Sequence, residues 1–419
     1  MSSVKNIIVT YSAQVVSLAC SFVCSILAAR MLGTYGQAEL TLYNNFIAFA
    51  TLLIGLGLPS TLVYFIASGK LAKEYVFGLG IWIFIFMLGF VAIFIGLKNV
   101  GYLQTLLPSF VQQNTFFVLI LVVHVGMTIF NAFFAAILQA ENKFKTAGII
   151  QIISNIVLLI LYTLKYKQIV AINLLPMYWI VYALCFSMSI QFSFFLVRIY
   201  QTNRSYFSIH AIPFSLVKVI FSFAVLAYAT NVIQFFNYKM DIWVLNYFKQ
   251  SKEGIGIYAL AVSLAQMIWL LPSAIQTVLF SSISQQANKQ LSYQKSLRST
   301  YFIGLYALIA AVIGYFISIY FVPILFGNSF IPSVSIIQIL LIGVAPFCLT
   351  MSISVYFIGT GQVKINLYAA IIGFLSCLVF DLYFIPTKGI QGAAIASVIS
   401  YISTGMYLLF VFFKQRKRV

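Results

Sequence analysis

Twelve long apolar runs, separated by short segments of Gly, Pro or charge, fix most of what this chain can fold into. Their approximate limits are 7–32, 38–68, 75–97, 113–139, 146–164, 173–198, 213–248, 254–284, 299–324, 332–358, 364–385 and 391–413. A helix needs about 20 such residues to cross roughly 30 Å of hydrocarbon. With 63% hydrophobic and 7% charged residues and a mean hydropathy of +1.05, the chain cannot be an ordinary soluble domain, which carries about 25% charged residues. A transmembrane barrel is excluded, because the runs are continuous rather than alternating. The pattern predicts an all-α polytopic membrane protein of about 12 transmembrane helices. The seventh run is long enough to predict a kink or a strong tilt.

The formal charge of +18 would suggest nucleic acid in a soluble protein, but here the 24 Lys and Arg are spread along loops and act as topology determinants. Nucleic acid is therefore not an expected partner. With the N-terminus in the cytoplasm, sixteen cations fall inside, among them Lys70, Lys73, Lys143, Lys145, Arg198 and Arg204, and seven outside; Lys239 is left within the seventh run. This bias predicts both termini inside, with the terminal KQRKR as a headgroup anchor. The first run is too long for a cleaved signal core and reads as a retained span. Cys20, Cys24, Cys185, Cys348 and Cys377 lie in apolar runs without metal-ligand spacing and read as small hydrophobes, so neither metal nor cofactor is expected. No loop exceeds about 16 residues and no GxxxxGK[ST] phosphate loop occurs. The expectation is a non-enzymatic protein without catalytic residues, any transport being driven by an ion gradient, the membrane potential or consumption of product.

Sliding the sequence by 220 residues pairs Thr10 with Thr230, Gln14 with Gln234, Gly36 with Gly256 and Leu40 with Leu260. The same offset sets LQAENKFKTAGIIQI opposite IGTGQVKINLYAAII. Two six-helix lobes, 1–205 and 206–419, are the economical reading. Six is even, so the lobes insert with the same orientation, a parallel repeat that would enclose a central cavity and rock for alternating access.

Polar stripes mark one face of two spans. In the seventh, Asn231, Gln234, Asn237 and Asp241 recur at spacings of three and four; in the first, Thr10, Gln14, Ser17 and Ser21 do the same. The stripes either cement helix packing or line the cavity. Charge inside a span is more informative, since it costs about 2.5 to 3.5 kcal/mol at the bilayer centre. Asp241 reads as a coupling or gating group, or as a structural ion-pair partner. Lys239 stands about 200° from it round the helix and cannot share its face. Arg30 either snorkels to headgroups or faces the cavity. His124 reads as a proton carrier or a hydrogen-bonded packing residue. Asp381 and Glu39, near the ends of their runs, read as interfacial. A cationic balance within the membrane suits an anionic substrate such as phosphate or diphosphate, and a cavity with apolar gaps suits a cargo with a wet head and a lipid tail.

The stretch AARMLGTYGQAELTLYNNF resembles the N-terminal signature of the multidrug/oligosaccharidyl-lipid/polysaccharide (MOP) exporter superfamily, and within it the O-antigen-type (Wzx-type) flippases. MDIWVLNYFKQSKEGIGIYALA and FIPTKGIQGAAIASVISY are similar to later patterns of the same family. The resemblance spans essentially the whole chain and implies a MATE-like two-lobe fold in a bacterial inner membrane. It further implies transfer of an undecaprenyl-pyrophosphate-linked oligosaccharide, the repeat unit of lipopolysaccharide O-antigen, to the periplasmic leaflet. Membrane lipids and the polysaccharide polymerase machinery are the implied partners, and a functional monomer the implied state. Arg30 matches the basic residue ending the first span of the superfamily, and Asp241 its acidic residue before the LNYF-like stretch. Arg30 and Lys239 are the candidates to contact the pyrophosphate. A flippase for another lipid-linked glycan is the close alternative; a cation-coupled drug exporter would call for a cluster of carboxylates, and a glycan polymerase for a large outer loop.

Overall fold

The structure, a computed structural model, describes the backbone of residues 2–55, 57–67, 69, 71–97, 106–169, 174–208, 210, 212–284 and 288–415. The side chains of residues 2–14 lie outside the described set, and with them Gln14 and Thr10. Every described element is helical. That follows from the solvent: hydrocarbon offers no hydrogen bonds, so each span must satisfy its own backbone. The principal helices are α1 (Ser2–Gly55), α2 (Leu58–Ala67), α3 (Val76–Leu97), α4 (Thr115–Ala140), α5 (Phe144–Tyr166) and α6 (Pro176–Thr202), then α7 (Phe214–Tyr247), α8 (Lys252–Ala265), α9 (Leu270–Ser284), α10 (Lys289–Phe326), α11 (Ser333–Gly359) and α12 (Val363–Gln415).

Among the described residues nine helices are long and apolar enough to cross a membrane. Two of them, α1 and α12, each hold two spans broken at a glycine: Gly33 at φ 64° and Gly389 at φ 56°. Only glycine adopts this backbone without strain. In α12 the Ser400 hydroxyl lies 2.8 Å from the Gly373 carbonyl. Twenty-seven residues of straight helix would separate them by about 40 Å, so the chain reverses at Gly389. The nine helices thus carry eleven of the twelve expected runs, and the remaining one, the seventh, is α7, which runs from Phe214 to Tyr247 without an interior break. In α10 the helix starts ten residues before the apolar run, at Lys289, where Asn288 accepts the Leu291 amide at 3.1 Å. Hydropathy reads membrane and not helix, so this polar extension is invisible to it.

The chain divides into two compact units, Met1–Leu32 with Leu42–Tyr228, and Gly33–Thr41 with Ala229–Val419. In the first, Tyr43, Phe46, Leu79, Leu121, Phe133 and Phe195 contribute to one apolar core. In the second, α11 packs against α8, α9, α10 and α12. Here α10 leaves Tyr301, Phe302, Leu305, Leu308, Phe316 and Tyr320 exposed, as a lipid-facing helix does. The segment 33–41 belongs with α8 because Gly256 lets them touch: a Cβ there would lie 1.9 Å from the Thr34 carbonyl oxygen. Beside it Lys252 pairs with the buried Glu39 at 2.9 Å, so Glu39 is a buried ion-pair partner and not an interfacial group. Turn chemistry recurs along the chain: left-handed residues follow α4 (Asn142), α5 (Gln168), α7 (Lys249) and α11 (Gly361). After α4 and α11 they make the same C-terminal motif, with Lys143 N bonding Leu138 O at 2.8 Å and Gln362 N bonding Phe357 O at 2.7 Å.

Candidate functional site

The second unit holds a buried polar cluster built on α7, α8 and α12. Asp241 is 3% exposed, and its Oδ1 accepts the Ile242 amide at 2.8 Å. Two hydroxyls converge on Oδ2: that of Tyr258 from α8, and that of Ser397 from the second arm of α12 at 3.4 Å. Tyr258 and Ser397 are themselves 3.1 Å apart. On the first arm of α12, the Cys377 thiol donates to Asp381 Oδ2 at 3.4 Å, while Asp381 Oδ1 is buried with no hydrogen-bond partner. Asp381 is 0% exposed, which corrects its reading as an interfacial residue. Both carboxylates lie within electrostatic reach of Tyr258 and Cys377. Neither makes a contact ion pair among the described residues; the charge of the half-buried Lys239 acts on Asp241 without direct contact. Two carboxylates removed from water, with Lys239 as the one cationic side chain that acts on Asp241, call for a further cation or a proton to balance them.

One turn back on α7, Asn237 is buried, and its Oδ1 accepts from Ser400 at 2.6 Å. Gly373 makes room for this contact, since a Cβ there would fall 2.6 Å from Asn237 Nδ2 and 2.3 Å from Thr404 Oγ1. Gln234 donates to the Tyr238 hydroxyl at 2.6 Å, and the Tyr238 ring packs on Trp269, Phe347 and Tyr401. Asn231 is exposed. The α7 stripe therefore changes character along its length, from an exposed Asn231 to an enclosed Asp241.

In the first unit Arg30 is exposed and donates from Nη1 to the Tyr166 hydroxyl at 3.3 Å. His124 is buried, 3.1 Å from the Tyr43 hydroxyl, with the rings tilted and 5.6 Å apart. Ser17 is buried with no partner for its hydroxyl, and Ser21 is exposed. A second polar cluster lies outside the spans. Glu141, at the C-terminal end of α4, pairs with Lys73 at 2.6 Å and Lys143 at 3.4 Å, and accepts from the Tyr206 hydroxyl at 2.6 Å. Burial raises its pKa, but the hydrogen bonds from Lys73 and Tyr206 and the Lys73 charge outweigh this and hold the carboxyl below its usual range.

Sequence reasoning singled out Asp241 but missed Tyr258, Ser397, Cys377 and Asp381. The signal for Asp381 was present, a carboxylate within the apolar string LVFDLYF. Tyr258 and Ser397 gave none, being ordinary residues of apolar runs until three helices bring them together.

A search of curated proteins returns no match. Among solved structures the chain is similar to the lipid II flippase MurJ in an inward closed conformation, at 18% identity over 97% of this chain and 87% of that one, with a TM-score of 0.76. It is similar to a multidrug resistance MATE family transporter of the MOP superfamily in an inward-facing conformation, at 16% identity over 98% of both chains, with a TM-score of 0.73. A MATE transporter of Vibrio cholerae matches at 15% identity over 100% of this chain and 98% of that one, with a TM-score of 0.66. At these identities the likeness establishes the fold alone, an all-α architecture of many long apolar helices. The family model described as polysaccharide biosynthesis protein matches residues 3–286, well over half of the chain. The resemblance carried by the sequence motifs thus holds for family and fold, and the chain belongs to the polysaccharide biosynthesis protein family.

Proposed function

We propose that this protein is a flippase. It carries an undecaprenyl-pyrophosphate-linked oligosaccharide, an O-antigen repeat unit, from the cytoplasmic to the periplasmic leaflet of a bacterial inner membrane, by alternating access of its two lobes. Both termini face the cytoplasm, it works as a monomer, and it delivers to the polysaccharide polymerase machinery. The observation that carries this reading is the pairing of a polysaccharide biosynthesis family with a transporter fold also found in a lipid II flippase. Such a pairing leaves translocation of a lipid-linked glycan as the natural step. The exposed Arg30 and the half-buried Lys239 supply positive charge for the pyrophosphate. Asp241 and Asp381 take up the coupling cation or proton, and His124 serves the first lobe as a gate through Tyr43.

The test is deletion of the gene, followed by extraction of lipid-linked oligosaccharides with an impermeant probe of leaflet. Complete units held in the cytoplasmic leaflet, with surface glycan lost, are the expected result. Units that reach the periplasmic leaflet unpolymerised would sink the reading. The buried carboxylate pair and the likeness to multidrug MATE transporters favour a second reading, a cation-coupled drug exporter. That reading requires drug sensitivity on deletion with surface glycan intact.

A further inference from the structure

In the first unit, α3, α4 and α6 line a partly open cavity of about 290 Å³ that the carboxylate chemistry does not use. Phe77, Phe84, Phe130, Phe134 and Phe192 line it together with Tyr206. Ile81 and Phe84, also in the lining, are exposed. Protein interiors are otherwise close-packed, and an apolar cavity of this kind is a site for an apolar guest. In a span surrounded by lipid, that guest is a hydrocarbon chain.

Tyr206 ties this cavity to charge. It belongs to the cavity lining, its hydroxyl donates to Glu141, and Lys73 lies over its ring 5.4 Å from the centre. The side chains of Lys73 and Lys143 are 44% and 34% exposed, and Arg204, two residues before Tyr206, is exposed as well. A ligand that satisfies both parts carries a single long hydrocarbon chain ending in a strong anion. A glycerophospholipid brings two chains and one phosphate; a polyprenyl diphosphate brings one chain and a multiply charged head, which suits one cavity and a lysine on each side of a single carboxylate.

We propose that this cavity and its basic rim are a loading site for the polyprenyl diphosphate end of the lipid carrier. The isoprenoid chain lies among α3, α4 and α6, and the diphosphate takes Lys73 and Lys143 from Glu141. The assignment rests on the lipid-linked cargo and the inward placement of Lys73 argued above. It deepens that reading by giving the tail a seat separate from Arg30 and Asp241.

The test uses the full chain in nanodiscs of zwitterionic lipid with a diazirine-bearing geranylgeranyl diphosphate, and maps the photolabel by mass spectrometry. A Cβ at Gly80, in the cavity lining, would meet Phe133 at an ordinary 3.8 Å, so the backbone accepts a side chain there, and Gly80→Leu is the variant that takes up cavity space. Label is expected on α3, α4 or α6, reduced about fivefold or more by Gly80→Leu and by Lys73→Ala. It should be competed by unlabelled geranylgeranyl diphosphate and not by phosphatidylglycerol. Melting temperatures within a few degrees of the parent show that the variants are folded. Label elsewhere, label indifferent to Gly80→Leu, or equal competition by phosphatidylglycerol overturns the site. Flipping assays in proteoliposomes separate the two readings: specific labelling without flipping sinks the flippase and leaves the site, whereas flipping at the parental rate by Gly80→Leu sinks the site alone.

Discussion

The Tyr258 hydroxyl donates to the Asp241 carboxylate from the next helix, seventeen residues along the chain, with both groups shut away from solvent. Removing a donor from a buried carboxylate strands the acceptor, at a cost of about 1 to 3 kcal/mol. Tyr258→Phe is therefore expected to lower the melting temperature in detergent, and Ser397→Ala, whose bond is longer, to lower it less. Equal effects, or none, would mean that Oδ2 is satisfied by something other than these hydroxyls.

Asp381 offers an unbonded Oδ1 beside this cluster. With the pair as the coupling site, Asp381→Asn and Asp241→Asn should each reduce gradient-driven flipping in proteoliposomes by roughly tenfold or more, a barrier change of about 1.4 kcal/mol. Flipping by either variant that still responds in full to an imposed ion gradient would remove the pair from the coupling mechanism.

Glu141 gives a pH dependence whose sign is fixed. Its pKa is depressed in the folded state, so its contribution is present above the ordinary unfolded carboxylate value of about 4.3 and lost as pH falls through the depressed value. Being partly exposed, the pair is worth about 1 kcal/mol or less. Thermal unfolding of the parent and Glu141→Gln should converge as pH drops into that acidic window and separate by about a degree or two at neutral pH. A constant gap across the range would assign the effect to packing by Tyr206.

Gly256 has no room for a side chain against Thr34. Gly256→Ala is expected to destabilise the second unit by about 1 to 3 kcal/mol through a forced shift of backbone. Proteolysis of the segment around Gly33 in membranes would report it, and an unchanged cleavage rate would count against the contact.

The exposed Arg30 donates from its guanidinium to the Tyr166 hydroxyl at 3.3 Å. If its role is the pyrophosphate, Arg30→Ala should lower surface polysaccharide at matched expression and Arg30→Lys should restore part of it, because Lys keeps the charge but loses the bidentate fork. Full polysaccharide in Arg30→Ala would exclude that role.

Hydropathy alone gave the spans, because the cost of placing charge or unbonded backbone in hydrocarbon is paid locally, residue by residue. The breaks at Gly33 and Gly389 fall in the gaps between the apolar runs, 32–38 and 385–391. The polar extension of α10 before residue 299 was not, since it lies where hydropathy says nothing about helix. Asp241 stood out as a carboxylate in an apolar run, but Asp381 passed for an interfacial group. Only the reversal of α12 at Gly389 puts its two arms side by side, with Asp381 and Cys377 on one and Ser397 on the other. Only the packing of α8 on α7 aims Tyr258 at Asp241. Sequence determined which residues lie in the membrane, a property of each segment alone; tertiary structure decided which polar groups are enclosed and what they bond, because burial and hydrogen-bond partners come from helices far apart in the chain.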